Sequence, residues 1–364
     1  MWADCRALDL FRIELPIIQA PMAGFSPVTM AIAVADAGGL GSLPCASLSA
    51  DQMRAAFETF RRATARPLNT NFFCHSTPPP DIVGETIWRN KLAHYYVELG
   101  LDPSMPLPAA TRLPFNDAAC NLVEEFKPEV VSFHFGVPDD GLLARVKATG
   151  AKVISSATSV AEARWLEAHG CDAIIAMGLE AGGHRGNFLS NDMSRQVGTF
   201  ALVPQIADAV KVPVIAAGGI ADGRGIAAAL TLGASAVQIG TAYLFSSEAD
   251  LSAAHRQALA AATDEDTQIT NLFTGRPARG IVNRLMREVG PLSADAPPFP
   301  MASAALAPLK AAAELRGAGD FSNLWSGQAA RLATPMPAGL LTKHLAKTAL
   351  ERIAKMAHSA SAKI

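Results

Sequence analysis

Eight short apolar runs, most of them separated by helix-like segments, predict an α/β chain built on a parallel sheet. Eight such units favour closure as a TIM (β/α)8 barrel over an open doubly wound sheet. The length of 364 residues suits a barrel carrying a further unit, read here as a smaller, mainly helical domain near the barrel mouth. No G-x-G-x-x-G follows the first run, which disfavours a Rossmann cofactor domain.

The first run, residues 16–21 (PIIQAP), is bounded by prolines, and residues 24–39 after it have helical spacing ending at Gly38-Gly39. Residues 40–44 form the second strand, with a helix at 51–64, and residues 67–73 (PLNTNFF) the third. Asn69 and Asn71 are costly in an apolar strand unless something pairs them, so a ligand at its C-terminal end is expected. Between Cys74 and Phe115 the alternation lapses into a proline-rich stretch around a helical segment at 82–99, read as a loop that walls the site. Strands at 130–135 and 152–156 follow, with helices at 140–149 and 159–169. The strand at 173–177 leads into a glycine-rich loop, and a helix at 200–209 precedes the strand at 212–217. Residues 225–245 carry no formal charge and are long enough for a membrane span, but Gly233 divides them into a helix (224–232), a turn and a strand (236–240).

Composition narrows the partners. With 31 basic and 33 acidic residues there is no charge excess to draw nucleic acid or an anionic membrane, so a small molecule is expected. The five cysteines are scattered without a C-x-x-C pair, so neither a disulfide framework nor a metal site is expected, and a reducing cytoplasm fits. Asp4, Asp9 and Glu14 interrupt the start of the chain before any apolar region of signal length.

The chemistry centres on MGLEAGGHRG, residues 177–186. Gly182 and Gly183 at a strand end bring bare backbone close to a ligand, and His184 is the loop's side chain able to exchange a proton near neutrality. In a barrel the active site lies at the C-terminal strand ends, where Pro21, Asn71, His134, His184, Gly219 and Gly240 fall. The turns AAGGIADGRG and QIGTAYLF, after the last two strands, supply backbone N–H groups and one opens a helix, which is how a phosphate is held without lysine. A phosphorylated ligand or cofactor follows.

In order and spacing, PIIQAPMAG, NTNFF, VVSFHFGVP, EAGGHRG, PVIAAGGIADGRG, VQIGTA and GRPARGIVNR resemble the bacterial class I nitronate monooxygenases, once called 2-nitropropane dioxygenases. EAGGH and the phosphate turns are shared with flavin-dependent enoyl-ACP reductases and related NAD(P)H:quinone reductases. The resemblance implies an FMN-binding barrel that oxidises alkyl nitronates with O₂ to carbonyl compounds and nitrite. It implies His184 as the catalytic residue, which as a neutral imidazole is suited to take the α-proton of a neutral nitroalkane; His134 is read as a supporting substrate ligand at most, with a buried, hydrogen-bonded structural histidine as the other reading. It also implies FMN contacts from Asn71, Gly182, Gly183, Gly218, Gly219 and Gln238, Ile239, Gly240 and Thr241, with Ala20, Pro21 and Met22 packing near the flavin. Many relatives carry glutamine where this chain has Met177, so one hydrogen bond to the flavin is absent here.

Residues 1–245 are read as the barrel, 246–320 as the covering domain and 321–364 as C-terminal helices packing back on it; a homodimer is compatible with the resemblance. Helices are expected at 248–262, 302–315 and 340–356, and Arg276, Arg279, Arg284 and Arg287 stand near the mouth as candidates to favour an anion. Two alternatives remain: an FMN-dependent NAD(P)H:quinone or enoyl-ACP reductase of the same fold, and a non-flavin barrel binding a sugar phosphate.

Overall fold

The computed structural model describes residues 2–108 and 112–361. The eight predicted runs are all strands of one parallel sheet: β1 (Ile17–Gln19), β2 (Gly41–Pro44), β3 (Leu68–Phe73), β4 (Val130–His134), β5 (Lys152–Ala157), β6 (Ala173–Met177), β8 (Val214–Ala217) and β9 (Ala236–Ile239). They run in the order β1-β9-β8-β6-β5-β4-β3-β2. A parallel bridge between Ile18 and Leu40 closes the ring, with Gln19 N donating to Leu40 O and Leu40 N to Ile17 O. The fold is a TIM barrel.

Strand alternation splits the barrel's apolar residues into two cores. Val131, Phe133, Val153, Ile174, Val214, Val237 and Ile239 point outward against the helices, whereas Ile18, Val130, Ile154, Ile175 and Ile215 fill the interior. The lower end of that interior is plugged by Ala7 and Phe11 of a helix, Arg6–Phe11, that at six residues is too short to leave a periodic signal in the sequence. The uncharged stretch resolves as expected into a helix, Gly223–Thr231, and β9. Among the described residues no helix is long and apolar enough to cross a membrane.

Seven outer helices follow their strands directly or after an excursion, and side chains cap several of them: Ser49 and Gln52 form a reciprocal capping box, and Asn116, Asp139, Ser159 and Asp222 each accept from backbone N–H groups of the first turn. The eighth comes from the far end of the chain. Ala338–Ser361 packs between helices Val28–Asp36 and Gly223–Thr231, so nearly a hundred residues separate it from β9. The approach is close because small residues meet there: a Cβ on Gly223 would lie 2.5 Å from Ala349 N, and one on Gly339 2.9 Å from Ala33 O. Tyr243 Oη and Thr342 Oγ1, 2.7 Å apart, tie it to the end of the barrel sheet.

A second apolar core stands over the barrel mouth. The helix Ile82–Leu99, within the stretch read as a loop, packs on helix Ala302–Leu315: Trp88 Nε1 donates to Ala302 O (3.2 Å) and Tyr96 Oη to Ala305 O (2.6 Å). The predicted covering segment also contains strands that the sequence reading left out. β10 (Thr267–Thr270) and β11 (Ala278–Ile281) form an antiparallel hairpin, and β11 pairs in turn with β7, the two residues Gly183–His184.

Candidate active site

One cavity, with about 1250 Å³ of empty space partly open to solvent, lies at the C-terminal strand ends. Ala20, Pro21, Met22, Asn71, His134, Met177, Gly182, Gly183, His184, Gly218, Gly219, Gln238, Gly240 and Thr241 all line it. Ile239 does not. The pleat that turns Gln238 inward turns Ile239 outward into the core under the helices, and its carbonyl accepts from Ala20 N, so its inclusion is corrected. Asn69 is also inward but lies below the cavity, where its Nδ2 donates to Ser42 Oγ at 2.9 Å; its role is to pack the barrel.

The loop carrying His184 is held from below by buried charge. Arg185 is fully buried; it donates to Met177 O (3.0 Å), Gly178 O (2.8 Å) and Gln196 Oε1 (2.9 and 3.0 Å). Gln196 Nε2 donates to Thr158 Oγ1, which donates to buried Glu162, whose carboxylate also accepts from Phe188 N and Leu189 N. From above, the segment 325–329 closes over the loop. Gln328 N donates to Glu180 O and Gly327 N to Thr241 Oγ1, and a Cβ on Gly182 would sit 2.5 Å from Gly327 N. Only glycine permits that approach.

His184 is enclosed by rings: Phe299, Trp325 and Phe73 have centroids 5.3, 5.7 and 6.0 Å from its own. Burial, followed by the nearby charge of Arg112, holds its pKa well below the usual imidazole value, so it is neutral. Its Nε2 lies 2.9 Å from Thr274 Oγ1, and that hydroxyl lies 3.4 Å from Arg276 O. A carbonyl can only accept, so the hydroxyl hydrogen goes to Arg276 O, His184 donates through Nε2, and the lone pair is on Nδ1.

His134 has no such freedom. Nε2 donates to His184 O (3.1 Å), and Nδ1 accepts from Ser156 Oγ (3.0 Å); burial lowers its pKa to about 4. Both ring nitrogens are thus committed to the protein, so the side chain fixes the loop backbone while lining the cavity.

At the far end of the cavity, Gly218 and Gly219 have φ of 109° and 70°, conformations open to glycine, and a Cβ on Gly218 would crowd Ala181 N at 3.0 Å. The N–H groups of Gly219, Ile220 and Thr241 find no backbone acceptor among the described residues. The helix N-terminus expected to join them does not: Asp222 Oδ1 already accepts from Arg224 N (2.8 Å) and Gly225 N (3.2 Å). The backbone N–H groups left open at this end are those of the two turns.

The sequence reading missed Arg112, Thr274 and the segment 325–329. Thr274 abuts the GRPARG motif and Trp325-Ser326-Gly327 lies in FSNLWSGQ, so a signal was present, but nothing local says that these segments return to His184.

Comparison with known proteins agrees with this geometry. A family model described as nitronate monooxygenase matches residues 5–348. The chain belongs to that family. It is 40% identical over 351 residues to a nitronate monooxygenase of Paraburkholderia phytofirmans, covering 96% of each chain. It is 41% identical over 343 residues to one of Pseudomonas aeruginosa, covering 93% of this chain and 97% of that one. The solved nitroalkane oxidase of Streptomyces ansochromogenes superposes with a TM-score of 0.87 at 38% identity, covering 96% of this chain and 99% of its own. FabK of Thermotoga maritima gives 0.74 at 30%, covering 97% and 98%. Membership makes this nitronate monooxygenase relative an oxidoreductase.

Proposed function

We propose that the protein is an FMN-dependent nitronate monooxygenase that oxidises alkyl nitronates, and more slowly nitroalkanes, with O₂ to carbonyl compounds and nitrite. The observation that carries the reading is a neutral, ring-enclosed His184 on the wall of a cavity whose far end is built from two glycine turns with open N–H groups.

FMN fits the residues present. Gln238 Oε1 is buried beside the cavity without a hydrogen-bond partner, and an N–H of a bound ring system would satisfy it. The turns at Gly218–Ile220 and Gly240–Thr241 would take the phosphate, Ala20–Met22 and Ala181–Gly183 the ring faces, and Asn71 a ring edge. Met177 contributes a thioether where a glutamine would bond. When bound, the flavin would carry electrons from substrate to oxygen.

The chain's own part is positioning and proton transfer. A nitronate arrives deprotonated and needs orientation only. A neutral nitroalkane must lose its α-proton, for which His184 Nδ1 is the available base, while the Thr274 bond on Nε2 keeps that lone pair directed. The rings around His184 limit its contact with water. The covering unit, expected as residues 246–320, in this proposal also includes the helix Ile82–Leu99.

Heat release of the cofactor followed by chromatography tests the assignment: FMN is expected, and FAD alone would overturn it. Similarity to FabK supports a second reading, a flavin reductase oxidising NAD(P)H. Anaerobic mixing of the yellow protein with NADH, NADPH or a nitronate separates the two. Rapid bleaching by the nitronate but not by the pyridine nucleotides is expected.

A further inference from the structure

Among the described residues lining the cavity, Arg112 is the only one bearing a formal charge at neutral pH, and no Asp or Glu lines the cavity with it. Among the described residues no carboxylate pairs with its guanidinium and none of its side-chain nitrogens has a protein acceptor. Its contact is with the face of Phe299, 6.0 Å from guanidinium carbon to ring centroid, and Phe299 is the ring nearest His184. A largely enclosed cation without a partner is costly, and a bound anion would offset that cost.

The arginine is placed there by construction. His75 Nε2 donates to Arg112 O at 3.2 Å. Three residues on, Phe115 N donates to Phe73 O at 2.7 Å, and its ring packs edge-on against Phe72 and Phe133 at 4.8 and 5.2 Å. The segment that returns from the covering unit to the barrel is thus pinned on both sides of the cavity wall.

The other arginines near the mouth are committed elsewhere. Arg276 lies over Phe135 and donates to Asn187 O; Arg279 donates to Leu179 O and Thr267; Arg284 pairs with Glu98 and Glu288; Arg287 donates to Val282 O. None of the four lines the cavity, which corrects the expectation that they would favour an anionic substrate.

We propose that Arg112 is the residue that binds the substrate's negative charge, so that the site selects a planar anion with two oxygens on one atom over its neutral conjugate acid. The fork of guanidinium N–H groups matches two such oxygens. The same charge disfavours protonation of His184, which is consistent with a base kept neutral beside an anion site. This inference rests on the nitronate reading and names the residue that would enforce it.

Inorganic nitrate, planar and not oxidisable further, serves as the probe. Its binding is measured by calorimetry on flavin-loaded wild type, Arg112→Gln and Arg112→Lys, with flavin occupancy checked in each. Wild type should bind nitrate saturably, Arg112→Gln should bind it about tenfold to a hundredfold more weakly, and Arg112→Lys should fall between. In parallel, Arg112→Gln should lower kcat/KM for a nitronate more than for its parent nitroalkane. Equal nitrate binding in wild type and Arg112→Gln, or none in wild type, would overturn the proposal. If nitrate binding depends on Arg112 but no nitronate is oxidised, the anion site stands and the nitronate reading fails; if nitronates are oxidised and nitrate binding ignores Arg112, the reverse holds.

Discussion

His184 separates chemistry from packing. In the proposed reaction its ring acts through Nδ1, whereas the loop around it is held by Arg185, by His134 Nε2 donating to His184 O, and by Gly327, none of which needs the imidazole. His184→Asn should therefore retain flavin while losing nitroalkane turnover by roughly 10² to 10⁴. Nitronate oxidation should fall less, because no C–H bond has to be broken by a base; equal losses with both substrates would show that the residue does something other than take a proton. Thr274 acts through His184. Thr274→Val removes the acceptor for Nε2–H and should depress nitroalkane kcat selectively, with Thr274→Ser restoring it. An unchanged ratio of the two substrates across this series would mean that the hydroxyl does not set the tautomer.

Among the elements, the loop after β6 depends on one buried carboxylate. Glu162 accepts from Thr158 N and Oγ1, Phe188 N and Leu189 N at 2.7 to 3.1 Å, so Glu162→Ala leaves buried donors unpaired. A loss on the order of 3 kcal/mol is expected, read as a lower urea midpoint, with Glu162→Gln intermediate. The helix Ala338–Ser361 offers an internal comparison. Leu345 is 1% exposed, on the helix that packs between the first and seventh outer helices of the barrel, and Ile353 is 37% exposed farther along. Leu345→Ala should cost roughly 2–5 kcal/mol and Ile353→Ala within about 0.5 kcal/mol, measured by the same unfolding curves. Similar costs at both positions would contradict the docking of this helix as the eighth of the barrel.

The whole molecule carries a pH signature. His75 and His255 are buried and His134 half-buried, each with a pKa lowered to about 4 by desolvation first, so all three are neutral near pH 7. An unfolded chain would titrate them near 6.5, so between those values the unfolded state binds more protons than the folded one. Their contribution to stability is complete above about pH 6.5 and is withdrawn as the pH falls toward 4, at up to about 1.4 kcal/mol per pH unit for each group. The melting temperature should drop progressively from pH 7 to pH 5. A flat profile over that range would mean that these imidazoles are solvated.

The barrel strands were legible from local chemistry alone, because an apolar run of strand length between turn residues has few other places to go than the inside of a parallel sheet. The cavity lining at Asn71, Gly182, Gly219 and Gly240 followed from the same pattern, since strand ends and glycine turns mark one face of a closed barrel, whereas Gln238 came from the family resemblance. Ile239 escaped it because a run of motif residues does not reveal which of them the pleat turns outward. Other features arise between segments far apart in the chain. Thr274 meets His184 across 90 residues, Gly327 meets Thr241 across 86, and Arg112 enters the cavity at the end of an excursion whose helix is buried in another core. Asp222 fills the helix terminus that composition alone leaves open to a phosphate, and a C-terminal helix completes the barrel because small residues on three helices allow their backbones to touch. Local propensity is blind to such pairings: each is decided by which surfaces are complementary once the chain has closed.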